Sequence, residues 1–126
     1  MSLRTPLAQV RGHGSARQGA HHWWMQRITA VMLIPLFIGF VGTMVALATG
    51  GYAETAAFIR SPIAAGALLV LVVTIFYHAA LGLQVVIEDY TSADKCHACT
   101  IVTMRFIMFL LAAISVVAVI KVAVGG

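Results

Sequence analysis

The stretch IAAGALLVLVVTIFYHAALGLQVVIEDY, from Ile63 to Tyr90, decides how this chain folds. No Asp, Glu, Lys or Arg enters it before Glu88, and the polar interruptions are His78 and Gln84. A run exceeding the roughly 18 to 20 apolar residues needed to cross a hydrocarbon core reads as a transmembrane helix. The imidazole within it then needs a reason.

With charged residues used as fence posts, two more such blocks emerge. The first, Ile28 to Thr49, has no charged residue at all. The last extends from about Ile101 to Val124 and carries Arg105 and Lys121 near its ends, where long side chains snorkel toward headgroups. The whole chain of 126 residues is 61% hydrophobic and 10% charged, with a mean hydropathy of +0.98. A soluble domain of this size needs far more charge to cover its surface. The apolar residues come in blocks and do not alternate, which favours helices over a barrel.

The expected fold is therefore an all-α membrane protein of a single domain. A polar N-terminal segment, about 1–22, precedes transmembrane helices over about 23–49, 62–88 and 100–124. Ala46-Leu47-Ala48 has the small-x-small form of a signal cleavage site, but the apolar region is too long and its polar leader too extended for one. Gly50-Gly51 ends the first span, and Ser61 before Pro62 is a helix-start signal. The short second loop, TSADKCHACT, makes the last two helices antiparallel neighbours. Pro35 lies inside the first span and is expected to kink it.

Arg4, Arg11, Arg17 and Arg27 precede the first span, and Lys95 and Arg105 lie in or beside the second loop, against Arg60 and Lys121 on the other side. Six against two places the N-terminus on the cytoplasmic side of a bacterial inner membrane, or the matrix side of a mitochondrial one. That bias accounts for the formal charge of +4 without any nucleic-acid partner.

Ionisable groups inside a bilayer are costly and tend to mark ion paths or cofactors. His78 sits about sixteen residues into the second span, and at about 100° per residue Gly82 lies about 40° from it, with Val85 and Asp89 each about 20° away. A glycine one turn from an imidazole leaves a recess that a macrocycle can occupy while Nε2 reaches its iron. The same residues also suit close helix packing, with the imidazole hydrogen-bonded to a neighbouring helix. An imidazole paired only with protein groups would favour packing. His13, His21, His22 and His97 all lie outside the apolar blocks, so a second histidine ligand would belong to another polypeptide. Three helices are also too thin a bundle to enclose a large cofactor, which again points to a partner chain.

The run from His78 to Tyr90, with its glycine four residues after the histidine and its terminal Asp89-Tyr90, resembles the second helix of the small hydrophobic membrane anchors of succinate dehydrogenase, respiratory complex II. HHWWMQRITA, from His21, resembles that family's entry into its first helix, and the three-span layout agrees. The resemblance implies a chain forming half of a heterodimeric haem-binding helix bundle. In it, His78 is one axial ligand of a b-type haem shared with the other membrane anchor of the complex, and Gly82 forms the recess. It also implies an iron-sulfur subunit and a flavoprotein as partners, which hold the iron-sulfur clusters and FAD and carry out succinate oxidation.

Asp89 and Tyr90 fall roughly 17 to 18 Å along the helix from His78. By themselves they read as an interfacial tyrosine and a helix end. By the resemblance, Tyr90 contacts ubiquinone and Asp89 supports it, a phenol being able to donate to a quinone carbonyl while a carboxylate relays protons. Trp23 and Trp24 read as interfacial anchors and Arg27 as a positive-inside determinant. The resemblance adds His21 and Arg27 as neighbours of haem propionates.

Cys96-His97-Ala98-Cys99 lacks the histidine after the second cysteine that covalent haem attachment needs, Thr100 standing there instead. The loop offers only His97 and Asp94 as further zinc ligands, so two unmodified thiols on the reducing side are expected, ahead of an intermittent disulfide. Two other functions compete with the redox anchor. A haem-free scaffold remains open, whereas a small transporter is expected to carry a carboxylate at midplane, which none of the four acidic residues supplies.

Overall fold

The computed structural model describes Leu7, residues 17–90 and residues 97–125. The polar residues before Arg17, among them Arg4, Arg11 and His13, and Asp94, Lys95 and Cys96 of the second loop lie outside the described residues.

The described residues from 17 onward form four helices: α1 (Arg17–Leu47), α2 (Tyr52–Ile59), α3 (Pro62–Tyr90) and α4 (His97–Val124). No strand occurs among the described residues. Three of the helices, over Gly19–Leu47, Pro62–Tyr90 and His97–Val124, are long and apolar enough to cross a membrane at 29, 29 and 28 residues. At 1.5 Å per residue, 28 residues reach about 42 Å, beyond the roughly 30 Å of a hydrocarbon core.

The helix ends follow local chemistry. Ser61 accepts a hydrogen bond from the Ala64 amide at 3.3 Å, and Pro62 occupies the first position of α3, where its missing N–H costs nothing. Gly125 closes α4 at φ +93°, a left-handed conformation that side chains with a Cβ rarely adopt. Pro35 lies within α1, which continues through it as one helix. The segment between the first two spans is not wholly loop: Tyr52–Ile59 forms the short helix α2, which touches both α3 and α4.

α3 is the central element, packed on α1 along one side and on α4 along another. Measured around its axis from His78, the buried residues Ala64, Leu71, Thr74 and Leu81 and the half-buried Gly82 fall within an arc of about 100°. Ala64 and Leu71 line a 280 Å³ cavity against Pro35, Gly39 and Phe40 of α1, which identifies this stripe as the α1 contact. The face toward α4 lies further round, where Phe76, Tyr77 and Ala80 oppose Met108, Phe109 and Ala112.

Two hydroxyls within the spans, those of Thr43 and Ser115, are satisfied by their own helix. Thr43 donates to the Gly39 carbonyl and Ser115 to the Leu111 carbonyl, each at 2.8 Å. Without water, such four-residue back-bonds spare lipid an unpaired donor. Most large apolar side chains of α1 and α4 are exposed, the composition expected of surfaces that meet lipid or other helices.

Truncating Leu71 to alanine adds a void beside the existing cavity and removes part of the α1–α3 contact. Leu71→Ala is expected to destabilise the protein by about 1–2 kcal/mol. Val124→Ala, at a position 82% exposed, should change stability by less than about 0.5 kcal/mol. SDS-titrated unfolding of the detergent-solubilised protein measures both.

Candidate functional site

His78 is half-buried on the stripe of α3 that faces α1. Its two ring nitrogens meet two side chains of α1: Nδ1 lies 2.9 Å from Thr29 Oγ1, and Nε2 lies 3.3 Å from Gln26 Nε2. Thr29 is itself buried, and its hydroxyl donates to the Met25 carbonyl at 2.7 Å, with the Gln26 carbonyl at 3.2 Å. A hydroxyl has one proton. Given to Met25, it leaves the oxygen to accept from Nδ1–H, so the lone pair falls on Nε2. The Gln26 amide nitrogen, which can only donate, requires the same tautomer.

Gly82 borders this contact. A Cβ added there would stand 3.4 Å from Gln26 Nε2, so the missing side chain gives the glutamine room beside the imidazole. Gln26 Oε1 is buried without a hydrogen-bond partner.

The chemistry available is that of a neutral imidazole with a basic Nε2, a common metal ligand. No group of three or more His, Cys, Asp or Glu side chains converges among the described residues to hold a bare ion. A haem iron differs, because the macrocycle fills four positions and asks only one nitrogen of the chain. His78 fits that requirement. Taken alone, the chain pairs His78 with protein groups, so the packing and ligand readings meet at one side chain.

The other sequence-derived candidates are not gathered around it. His21 lines a 440 Å³ polar cavity with His22, Tyr77, Gln84, Glu88 and Arg105, and His22 Nε2 is buried without a partner among the described residues. Arg105 donates to Gln84 Oε1 at 2.5 Å, and Gln84 Nε2 donates to Glu88 Oε1 at 2.6 Å, bridging the two charges across α3 and α4. Arg27 instead lies over the Trp23 ring, 5.3 Å from its centroid, and Trp23 meets Trp24 edge-on at 5.2 Å. His21 and Arg27 stand about 120° apart around α1. Asp89 and Tyr90 occupy the end of α3, with Tyr90 87% exposed. Of the cysteine motif, Cys99 is exposed, and among the described residues its thiol is free and the buried His97 Nδ1 has no hydrogen-bond partner.

Sequence reasoning missed Gln26, Thr29 and the Arg105–Gln84–Glu88 bridge. Some signal was present. Gln26 and Thr29 are three residues apart, hence on one helix face, and Gln84 and Glu88 are four apart.

Comparison with known proteins places these residues in a lineage. The profile of the succinate dehydrogenase/fumarate reductase transmembrane subunit family matches residues 1–120. The chain is 34% identical over 117 residues to a succinate dehydrogenase hydrophobic membrane anchor subunit of Rickettsia bellii, covering 93% of this chain and 94% of that one. It is 33% identical over 100 residues to a protein of the same description from Rickettsia felis, covering 79% and 83%. Against the corresponding protein of Paracoccus denitrificans the identity is 28% over 109 residues, covering 84% and 82%. No solved structure matches the chain.

The space at Gly82 sets a size limit. Gly82→Ala places its methyl in ordinary contact with Gln26 and should leave the unfolding midpoint in SDS near that of the wild type. Gly82→Leu must push Gln26 off His78 and is expected to cost about 1–3 kcal/mol by the same measurement.

Proposed function

The chain belongs to the family of succinate dehydrogenase/fumarate reductase transmembrane subunits, and on that premise we propose that His78 supplies one axial ligand to a haem b shared with a second membrane anchor, while Tyr90 and Asp89 contribute to a ubiquinone-reduction site. The chain is a membrane-anchor subunit of succinate dehydrogenase, an oxidoreductase complex, with three helices long and apolar enough to embed it in the membrane. Succinate oxidation belongs to partner subunits, a flavoprotein with FAD and an iron-sulfur protein, and the second haem ligand to the other membrane anchor.

One observation carries the haem reading. In the middle of a lipid-spanning helix stands an imidazole, and the contact at its Nε2, to the Gln26 amide at 3.3 Å, is longer than the 2.9 Å bond at Nδ1 and so is the one more readily given up to a ligand. When bound, the haem supplies a one-electron carrier within the membrane. This chain's part is to hold the imidazole at a fixed height and in one tautomer, with Gly82 leaving space beside it. His21 and Arg27, in the N-terminal part of α1, are the groups offered to propionates.

Quinone reduction takes two electrons, which leave succinate and pass through the partner subunits, and two protons. The Tyr90 phenol donates a hydrogen bond to a quinone carbonyl, and Asp89 relays protons from water. The exposure of Tyr90 suits a residue whose pocket is completed by other subunits. In sequence, six of the eight Lys and Arg residues precede the first span or lie in or beside the second loop, the side on which α3 ends at Tyr90, which supports a cytoplasmic or matrix N-terminus and docking of the electron-carrying subunits there.

A second reading is a haem-free anchor, favoured by the two hydrogen bonds that His78 already makes to protein. A reduced-minus-oxidised spectrum of the purified complex separates the two. The b-type band is expected in the wild type and absent in His78→Ala; no band in the wild type leaves the scaffold.

Tyr90→Phe is expected to lower quinone reductase activity by about tenfold or more, while haem content and succinate oxidation by an artificial acceptor stay at wild-type levels. Unchanged quinone reductase activity would remove Tyr90 from the site.

A further inference from the structure

We propose that Thr29 is the positioning residue of His78: its hydroxyl oxygen accepts the Nδ1 proton, holds the Nε2 lone pair toward the iron, and thereby lowers the reduction potential of the haem. This rests on the reading that His78 is a haem ligand and extends it to a residue on a different helix.

Three distances support it. Thr29 Oγ1 is 2.7 Å from the Met25 carbonyl and 2.9 Å from His78 Nδ1. A threonine inside a membrane helix ordinarily donates to the carbonyl four residues back, as Thr43 does to Gly39. With its proton spent there, Thr29 can only accept from the imidazole. The donor-only nitrogen of Gln26, 3.3 Å from Nε2, independently needs a lone pair on that atom. Thr29 is 6% exposed, which limits competition from water for its oxygen.

The two contacts differ in what becomes of them. Ligation through Nε2 would displace the long Gln26 contact. The Thr29 bond is on the other nitrogen and persists. A hydrogen bond from the second ring nitrogen fixes the orientation of a ligating histidine and raises its basicity. A more basic imidazole favours the ferric over the ferrous state, which is a lower potential. In lipid the bond has no solvent substitute, so its loss should register fully.

Thr29→Val keeps the branched shape and removes the hydroxyl, whereas Thr29→Ser keeps the hydroxyl. Both variants are made in the complete complex, and the haem is titrated potentiometrically through its visible spectrum. Thr29→Val is expected to raise the midpoint potential or lose the haem, and Thr29→Ser to stay at the wild-type potential with haem retained. An unshifted potential in Thr29→Val overturns the proposal. So does an equal shift, or equal loss of haem, in Thr29→Ser, because the residue then acts by packing. A wild-type complex without haem, or haem retained in His78→Ala, overturns the ligand assignment itself and the proposal with it.

Discussion

Hydrocarbon offers no hydrogen bonds, and the chain answers that constraint at the seam between α1 and α3. Met25, Thr29 and His78 form a line of paired groups there: carbonyl, hydroxyl, ring nitrogen. Each polar atom is satisfied by the one before it, so an imidazole can be kept inside a lipid-spanning segment without water. Toward the other end of α3 the α1 contact is mainly apolar or small, from Ala64 and Leu71 to Gly39 and Phe40. Such a seam sets the distance between the helices, while the polar line fixes which residues stand opposite one another.

The spans were legible because the requirement that produces them is one-dimensional. A bilayer asks only for enough consecutive apolar residues, and charges mark where they stop. Ser61-Pro62 was similarly local: cap and first-turn proline are neighbours in sequence, and α3 starts on them. His78 stood out as an ionisable group where few are tolerated. What it touches did not, because all three long helices are apolar around most of their circumference, so no stripe tells which face meets which neighbour. Gln26 and Thr29 therefore passed as ordinary members of an entry segment. The short helix α2 escaped for a different reason, since Gly-Gly before it and Ser-Pro after it suggested a turn with nothing ordered between.

The site candidates divide along the axis of α3. His78 belongs to the α1 seam. Gln84 and Glu88 belong to the α4 side, joined to Arg105, and Tyr90 extends from the helix end with most of its surface exposed. One helix thus serves three neighbourhoods by rotation and height alone. A single substitution on α3 can accordingly be confined to one of them.

The Arg105–Gln84–Glu88 bridge bears on how the protein enters its membrane in the first place. An arginine carried alone into the translocon's lateral exit meets a penalty, about 2.5–3.5 kcal/mol at a helix centre and less toward an end such as that of Arg105. Joined through an amide to a carboxylate on the preceding helix, it travels as part of a charge-neutral unit. Partition of α3 and α4 as a hairpin is then easier than release of one after the other, and the short connection between them keeps the pair close during synthesis.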